Sequence, residues 1–343
     1  MRDNHSNKTR RTLLQVKDLS THFVVFRGTV RALERVTFDI DESEMVGLIG
    51  ETGCGKSITG LSIMGLIRPP GRIVEGEVVF KGQNLLRLRE IDFRQIRGRH
   101  IAMVFQKPMS SLNPVFTVGK QFLDVIRLHQ KVRTRGARGI AIASLRTVAL
   151  PDPEEILGRY PHELSGGMQQ RVMIAVALAC GSDLLIADEP TTALDVSVQL
   201  QILKLLKRVM EDTGMSILLI SHDMGVIGST CDRINVMYAG SVVENGLVET
   251  VLERPLHPYS KGLMGVIPIL SGNKRRLQPL KGEVPDPLHL SPGCSFYPRC
   301  PSALEVCKEK VPPRVEVEDR HFVSCLLHNA EDADVGNSNK DRM

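Results

Sequence analysis

The sequence lacks the long apolar segments that cross membranes. No stretch of its 343 residues approaches the roughly 20 consecutive apolar residues that a membrane-spanning helix requires. The first residues, Met1 to Arg11, are polar and have no apolar centre, which is unlike a secretory signal. We therefore expect a cytoplasmic chain, and any work at a membrane must use spans that other subunits supply.

The sequence also lacks a strong excess of charge of one sign. It has 44 basic and 39 acidic residues, and the net charge of +5 is mild for this length. A chain that binds nucleic acid electrostatically usually carries a larger or more concentrated positive charge. Composition therefore gives no support to nucleic-acid binding. Apolar residues at 42% and charged residues at 24% are an ordinary balance for a globular protein.

Cysteines are few, and their number is odd. With seven of them and no secretory signal, a disulfide framework is not expected. Four lie near the C-terminal end, in a proline-rich segment, at Cys294, Cys300, Cys307 and Cys325. Four thiolates can close a tetrahedral zinc site or hold a [4Fe–4S] cluster, although these spacings are wider than C-x₂-C zinc knuckles. From the residues alone, an iron–sulfur cluster, zinc and a packed group of free thiols all stay open.

Up to Glu253, short apolar runs alternate with helical patterns. The run Leu200–Met210 has helical spacing, with a stripe formed by Leu200, Leu203, Leu206 and Met210. Predicted strands are Leu13–Val16, Val30–Ile40, Met45–Ile49, Leu184–Ala187, Ser216–Ile220, and the pair Ile234–Tyr238 and Val242–Glu244 around an Ala239-Gly240 hairpin turn. Strands that alternate with helices predict an α/β fold with a parallel sheet, and the early strands predict an added antiparallel sheet.

The composition changes after Glu253. Prolines recur before the cysteine group, which predicts a separate extension with little regular structure. The last stretch, Asn329 to Met343, is polar without apolar periodicity and is expected to be disordered.

A glycine-rich loop of the G-x-x-x-x-G-K-[ST] form follows the predicted strand Met45–Ile49. It consists of Gly50, Glu51, Thr52, Gly53, Cys54, Gly55, Lys56 and Ser57. Its glycines let backbone N–H groups approach phosphate oxygens, Lys56 can hold the β- and γ-phosphates, and the Ser57 hydroxyl can ligate Mg²⁺. The apolar helical run Ile58–Ile67 after the loop adds its N-terminal dipole. Cys54 is interpreted as a small residue of the loop in preference to a redox switch.

Two adjacent acids end the apolar run Leu184–Ala187. Asp188 and Glu189 therefore lie at the carboxyl end of a predicted parallel strand, where open α/β sheets bind ligands. Asp188 can hold Mg²⁺. Because side chains alternate along a strand, Glu189 should point elsewhere and polarise a water that attacks the γ-phosphate.

The segment Leu164-Ser165-Gly166-Gly167-Met168-Gln169-Gln170-Arg171 resembles the signature sequence of ABC cassettes. Ser165 can cap the helix from about Met168 to Ala179, and the capped end with Gly166 and Gly167 makes a second phosphate-binding surface. The resemblance implies that this surface closes over ATP held by a partner subunit.

Other family landmarks follow in the expected order. Gln106 in Val104-Phe105-Gln106-Lys107-Pro108 resembles the Q-loop glutamine, which touches Mg²⁺ and water. Ala193-Leu194-Asp195 resembles the D-loop, and His222 resembles the switch histidine that contacts the γ-phosphate. Phe26 is the candidate for stacking on adenine, with Phe23 and Arg27 as alternatives.

The match is most similar to oligopeptide and dipeptide importers. It is carried by residues 103–115 (MVFQKPMSSLNPV), 188–199 (DEPTTALDVSVQ) and 254–259 (RPLHPY). The resemblance implies a P-loop NTPase core with an antiparallel β subdomain, a helical signature subdomain and a Cys-rich C-terminal extension. The expected division is a flexible N-terminus (1–11), an ATP-binding cassette (12–253), the extension (254–328) and a disordered tail (329–343). One departure is Arg133–Gly139, where Gly136 and Gly139 each weaken a helix by about 1 kcal/mol.

The resemblance also implies a function and partners. Two cassettes would sandwich two ATP molecules head to tail and hydrolyse them, with Gln106, Glu189 and His222 as the catalytic residues. The partners would be two membrane-spanning permease subunits, a related second ATP-binding subunit and, indirectly, an extracytoplasmic solute-binding protein, at the cytoplasmic face of the inner membrane. Similar extensions carry an iron–sulfur cluster, which favours [4Fe–4S] over Zn²⁺ at the four cysteines.

Two rival functions stay open at this stage. ABC-type cassettes that act on DNA or RNA usually have long coiled-coil insertions or two cassettes, and this chain has one signature and no heptad run. An importer of nickel, glutathione or another small solute would carry the same motifs, because the cassette does not contact the solute.

Overall fold

The computed structural model describes residues 11–106, 111–192, 195–265 and 282–329. The strands there are β1 (Thr12–Val25), β2 (Gly28–Asp41), β3 (Met45–Ile49), β4 (Gly71–Phe80), β5 (Gln83–Asn84), β6 (Ile101–Val104), β7 (Leu184–Asp188), β8 (Ser216–Ser221), β9 (Arg233–Tyr238), β10 (Ser241–Leu247), β11 (Arg314–Glu318) and β12 (His321–Ser324). The α-helices are α1 (Lys56–Ile63), α2 (Glu90–Ile96), α3 (Val118–His129), α4 (Thr134–Thr147), α5 (Pro153–Ile156), α6 (Gly166–Leu178), α7 (Val196–Thr213), α8 (Met224–Thr230), α9 (Val248–Glu253) and α10 (Pro258–Met264).

The described residues divide into two compact units. The first contains Ile40–Met45, Phe80–Ile220 and the residues up to Leu14. The second contains Gln15–Asp39, Val46–Val79 and the residues from Ser221 onward.

Parallel strands form the centre of the first unit. β7 pairs with β6 on one side and with β8 on the other, both in parallel. Every residue of β7 and β8 is buried, as expected for parallel strands that are covered on both faces. The predictions of Leu184–Ala187 and Ser216–Ile220 as buried strands are therefore confirmed.

Helices α3, α4 and α6 pack on one another in the same unit. Helix α4 forms although it contains Gly136 and Gly139, because Ala137, Ala141 and Leu145 lie four residues apart on one face and are fully buried. Packing of this face outweighs the weak helix propensity of the glycines.

The predicted stripe of helix α7 is correct in three of its four positions. Leu203, Leu206 and Met210 are buried, but Leu200 is half exposed. The buried face includes Ile202, Leu205 and Val209 instead, so the interior face is wider than the spacing of four leucines indicated.

The second unit has β9 beside β3 in parallel and beside β10 in antiparallel orientation. The β9–β10 hairpin turns at Ala239 and Gly240, which both have positive φ, as a two-residue turn requires. The predicted hairpin is thus confirmed. In the same unit β2, β1 and β4 are neighbours in another sheet, and β1 and β2 are joined by a two-residue turn.

The end of the C-terminal extension is more regular than the sequence predicted. β11 and β12 pair in antiparallel orientation, and β12 pairs with β10, with Glu244 opposite Val323. The expectation of little regular structure is therefore wrong here. Proline-rich composition before residue 314 gave no sign that the following short strands would find a partner in β10, which is distant in sequence.

No helix within the described ranges is long and apolar enough to span a bilayer. Residues 1–10 of the predicted flexible N-terminus (1–11) and residues 330–343 of the predicted disordered tail (329–343) lie outside those ranges. Ala193 and Leu194 of the D-loop motif and Lys107 and Pro108 of the Q-loop motif also lie outside them.

Candidate nucleotide site

The glycine-rich loop connects β3 to α1 in the second unit. Gly53 and Gly55 have φ of 84° and 105°, in the left-handed region that favours glycine. A Cβ on Gly50 would lie 2.2 Å from the carbonyl oxygen of Met237, so this position also excludes larger residues. Thr52 and Gly53 are exposed at the top of the loop, and Ser57 is partly exposed in the first turn of α1.

The side chain of Lys56 forms hydrogen bonds to the backbone of its own loop. Its Nζ donates to the carbonyl oxygens of Gly50 at 2.8 Å and of Glu51 at 3.1 Å, and it lies 3.8 Å from Cys54 Sγ. These carbonyls hold the ammonium where phosphate oxygens would compete for its protons. Burial raises the pKa of the Cys54 thiol although Lys56 lowers it, which agrees with a packed small residue and not a reactive thiolate.

The helix that follows the loop is shorter than predicted. α1 begins at Lys56 as expected but ends at Ile63, whereas the apolar run extends to Ile67. Gly65 has a φ of 59°, and Leu66 N–H donates back to the Leu61 carbonyl. This is the geometry of a glycine-terminated helix, so local backbone freedom overrides the apolar pattern.

Glu51 of the loop has partners that sequence reasoning missed. Its carboxylate pairs with Arg299, and its N–H donates to Tyr259 Oη at 3.0 Å. Both partners come from residues after Glu253, in the same unit. No motif marks such contacts in sequence, because they join positions more than 200 residues apart.

The acid pair lies at the end of β7 in the first unit. Asp188 is the last residue of the strand and is buried. Glu189 lies beyond the strand with a φ of 46°, a strained conformation for a residue other than glycine. Its direction is therefore set by this turn and not by the strand alternation on which the sequence argument relied.

Hydrogen bonds orient the Glu189 carboxylate. Gln106 Nε2 donates to its Oε2 at 2.6 Å, and Thr192 Oγ1 donates to the same oxygen at 2.9 Å. The structure thus brings Gln106 and Glu189 together across 83 residues of sequence, as the family motifs imply. Thr192 was missed by sequence reasoning, and its position three residues after Glu189, in the turn that ends the strand, is the signal that could have identified it.

The signature segment forms the N-terminus of helix α6. Ser165 is the N-cap, and its Oγ accepts the Met168 N–H at 3.4 Å, so the predicted cap is present, although the helix starts at Gly166 instead of Met168. Ser165 and Gly166 are exposed, and Gly167 is partly exposed. A Cβ on Gly167 would lie 2.9 Å from a Val198 methyl group, so any larger residue at this position would crowd Val198.

The remaining predicted ATP-site residues lie at the surface. His222 is exposed directly after β8, beside Asp223, which caps helix α8. Asp195 is exposed at the N-cap position of α7. Phe26 is fully exposed in the β1–β2 turn. Stacking of Phe26 on adenine and the roles of His222 and Asp195 stay predictions.

The fold brings Cys294 and Cys307, two of the four grouped cysteines, close together. Cys294 N–H donates to the Cys307 carbonyl at 2.8 Å. The pKa of Cys325 is raised to about 11, chiefly by burial and further by Cys294, Cys300 and Cys307. In the part of the chain that the structure describes, however, no group of three or more His, Cys, Asp or Glu side chains is placed to hold a metal ion.

Comparison with family models gives two matches. A model described as ABC transporter matches residues 33–192. A second model, described as oligopeptide/dipeptide transporter, C-terminal region, matches residues 243–307. The first range includes the glycine-rich loop, Gln106, the signature and the acid pair, and the second includes three of the four grouped cysteines.

Relatives align along nearly the whole chain. The "Oligopeptide transport ATP-binding protein AppD" of Bacillus subtilis is 45% identical over 94% of this chain and 99% of its own length. The "Dipeptide transport ATP-binding protein DppD" of Escherichia coli is 45% identical over 91% of this chain and 96% of its own. A "Probable peptide ABC transporter ATP-binding protein" of Sinorhizobium fredii is 47% identical over 94% and 97%.

Solved structures agree on the fold. The ATP-binding cassette MJ0796, described as dimeric and bound to ADP and Pi, superposes with a TM-score of 0.62 at 28% identity, over 69% of this chain and 99% of that one. This confirms an ABC ATPase fold, α/β with an antiparallel β part and helices. The chain therefore belongs to the ABC transporter family, as an ATP-binding subunit of the branch that carries the oligopeptide/dipeptide transporter C-terminal region.

Proposed function

We propose that this chain hydrolyses ATP to drive the import of peptides through membrane-spanning permease subunits. The observation that carries the ATPase assignment is the Glu189 carboxylate, held by Gln106 at 2.6 Å and by Thr192 at 2.9 Å at the end of a buried parallel strand. A carboxylate fixed in this way is suited to polarise an attacking water. Peptides are the proposed cargo because relatives at 43–47% identity are named for peptide transport.

Each unit supplies its own part of the chemistry. In the second unit, Lys56 would exchange its loop carbonyls for phosphate oxygens, and backbone N–H groups of Gly53 to Ser57 would bind the β-phosphate. The Ser57 hydroxyl in the second unit is of a ligand type that Mg²⁺ prefers, and so, in the first unit, are the Asp188 carboxylate and the Gln106 amide oxygen. When bound, Mg²⁺ neutralises charge on the β- and γ-phosphates. His222 would contact the γ-phosphate.

We infer that the signature helix serves a neighbouring cassette. Ser165, Gly166 and Gly167 present an exposed, capped helix N-terminus that has no phosphate-binding lysine in its own segment. The similar cassette MJ0796 is described as dimeric, which supports a pair of cassettes. We propose that the two cassettes pair head to tail and enclose two ATP molecules. We further propose that the neighbour is a related but different cassette. The pair would work at the cytoplasmic face of the inner membrane. The solute-binding protein would act on it indirectly, through the permease subunits.

Replacing the proposed base tests the ATPase assignment. Glu189→Gln keeps a hydrogen-bonding side chain but cannot take a proton, so we expect ATP affinity within about threefold of wild type and turnover reduced at least about a hundredfold. The measurements are phosphate release and equilibrium binding of an ATP analogue, and Glu211→Gln, an exposed acid on α7, is the matched control. Wild-type turnover in Glu189→Gln would remove Glu189 from this role.

Uptake by cells distinguishes peptides from nickel, glutathione or another small solute. A strain that lacks this subunit should lose uptake of labelled di- and oligopeptides and regain it with wild type but not with Glu189→Gln. Restored uptake of nickel or glutathione with unchanged peptide uptake would assign the other cargo.

We also propose that Cys294, Cys300, Cys307 and Cys325 hold a [4Fe–4S] cluster, with Zn²⁺ as the alternative. Four thiols match the ligands of either group in kind and number. As the described side chains stand, they form no metal-binding group, so the proposal requires that the bound group draw the four thiols together. The bound group would order the extension.

Anaerobic purification with iron, sulfide and zinc analysis tests the proposal. We expect brown protein with about four irons per chain and loss of the colour in Cys307→Ser but not in Cys231→Ser. Colourless protein with one zinc per chain would establish the alternative.

A further inference from the structure

An ion pair with two parallel contacts connects the glycine-rich loop to the C-terminal extension. Arg299 Nη1 lies 2.8 Å from Glu51 Oε2, and Nη2 lies 3.1 Å from Oε1. The arginine side chain is only 6% exposed and that of Glu51 is 28% exposed. Paired contacts of this kind fix both distance and orientation, and solvent screens this pair far less than a surface pair.

A second contact from the extension holds the same loop residue by its backbone. Tyr259 Oη accepts the Glu51 N–H at 3.0 Å. Tyr259 is fully buried, and burial is the main cause that raises the pKa of its phenol, so the group stays neutral. Glu51 is therefore held at its carboxylate and at its N–H by two different segments after residue 254.

Buried aromatic rings keep both partners in place. The ring centroids of Tyr238 and Tyr259 are 4.7 Å apart, and Phe296 lies 5.1 Å from Tyr238 and 5.6 Å from Tyr259. Arg299 follows Phe296 in the turn Tyr297–Arg299, and its guanidinium lies 5.6 Å from the Tyr238 ring. Packed rings of this kind leave little rotational freedom, so Arg299 is a rigid support.

Glu51 in turn sets the arrangement of the loop. Its carbonyl oxygen accepts from Lys56 Nζ at 3.1 Å and from the Cys54 N–H at 3.2 Å. Its carboxylate would place a negative charge in a loop that must receive a polyphosphate, and Arg299 neutralises that charge. Arg299 thus holds the loop in shape and removes a negative charge from it, and both effects should favour binding of ATP.

We propose that Arg299 is a positioning residue for ATP, through which the C-terminal extension controls the nucleotide affinity of the loop. This inference rests on the proposed ATPase function and extends it, since it assigns to the extension an effect on the first step of the cycle. Arg299 touches Glu51 and not the reacting atoms, so its loss should raise Kd and KM for ATP more than it lowers kcat.

The test is ATP-analogue binding to the purified full chain in a double-mutant cycle. Arg299→Met keeps the aliphatic stem and removes the charge, and we expect ATP binding about tenfold weaker, within the usual range of coupling between sites. In a Glu51→Ala background the same replacement should change affinity less than about twofold, because its partner is gone. Arg299→Lys, which keeps the charge but not the paired geometry, should give an intermediate loss.

The chain offers a matched control in the same extension. Arg254 and Glu318 also form a paired contact, at 3.0 Å for both bonds, but they are 65% and 46% exposed and do not touch the loop. Arg254→Met should leave ATP affinity within about twofold of wild type. A similar loss in Arg254→Met, or an undiminished Arg299→Met effect in the Glu51→Ala background, would overturn the inference.

Failure of the inference and failure of the proposed function give different results. Wild type that binds the analogue, loses it in Lys56→Ala and keeps it in Arg299→Met and Arg299→Lys would overturn only the role of Arg299. Wild type that does not bind the analogue would overturn both.

Discussion

Two helix N-termini in this chain are suited to phosphate, and they differ in what surrounds them. At α1 the loop from Gly50 to Ser57 is enclosed by its own lysine and by Arg299 and Tyr259. At α6 the N-cap Ser165 and the following glycines are exposed. The first surface has its cation and its support within one unit, whereas the second offers only backbone N–H groups and a dipole. This difference supports the proposal that the signature needs a neighbouring chain to complete a nucleotide site, whereas the loop needs little beyond its own unit.

Removal of the loop cation should have the largest effect. Lys56→Ala would remove the two charge-assisted contacts to phosphate that we propose, at about 2 kcal/mol each, so we expect ATP binding about a thousandfold weaker. Isothermal titration of the purified chain measures it. Lys207→Ala, an exposed lysine on α7, is the control and should bind as wild type does. Equal affinity in Lys56→Ala would mean that the loop is not the nucleotide site.

The next largest expected effect is a loss of folding stability at acid pH, which depends on His257 beside the loop contact Tyr259. His257 is buried, caps α10 by accepting the Tyr259 N–H at its Nδ1, and burial lowers its pKa from 6.5 to about 4. Between these values the unfolded chain binds more protons than the folded chain, so the free energy of unfolding falls as the pH falls from 6.5 to 4. The full loss is about 3 kcal/mol.

Urea unfolding at several pH values checks this expectation. His257→Asn retains an acceptor for the cap but does not titrate, so its free energy of unfolding should depend less on pH in this window. His289→Asn, at an exposed histidine of the same unit, should keep the wild-type dependence. Identical pH profiles for wild type and His257→Asn would contradict the assignment.

A negative charge introduced at the signature should distinguish the role of the α6 N-terminus from that of the α1 loop. Ser165→Glu places a carboxylate where a neighbour's phosphate is proposed to bind, while an acid remains favourable at a helix N-terminus. We expect unchanged ATP affinity in the isolated chain and turnover about thirtyfold lower in the assembled transporter, equivalent to about 2 kcal/mol. Loss of ATP binding by the isolated chain would show that α6 acts on its own nucleotide.

The smallest expected effect concerns the helices around the signature. A Cβ on Gly139 meets nothing within 4 Å, and its helical backbone suits alanine. Gly139→Ala should therefore raise the free energy of unfolding by about 1 kcal/mol without a change in ATP affinity. Gly53→Ala is the contrasting variant, because its φ of 84° makes alanine strained, and it should destabilise the loop instead.

Local patterns predicted most of what lies within a few residues of a motif. The loop glycines, the Ser165 cap and the β9–β10 turn were all predictable, since each depends on the backbone of its own segment. Among the predictions that were wrong are the end of helix α1 and the buried face of α7. Helix α1 ends early at a left-handed Gly65. Leu200 follows the helical spacing but is exposed, because the buried face of α7 includes Ile202, Leu205 and Val209. The contacts of Glu51 had no sequence signal at all.

The chemistry proposed for this chain can be predicted from local sequence, because the glycine-rich loop, the capped glycine-rich helix and the acid pair each consist of a few adjacent residues. Tertiary structure decided what holds those residues. It placed Gln106 and Thr192 on Glu189, joined Glu51 to Arg299 across 248 positions, and added β12 to β10. Such pairings depend on which distant segments pack together, and packing is a property of the whole chain that no short pattern records.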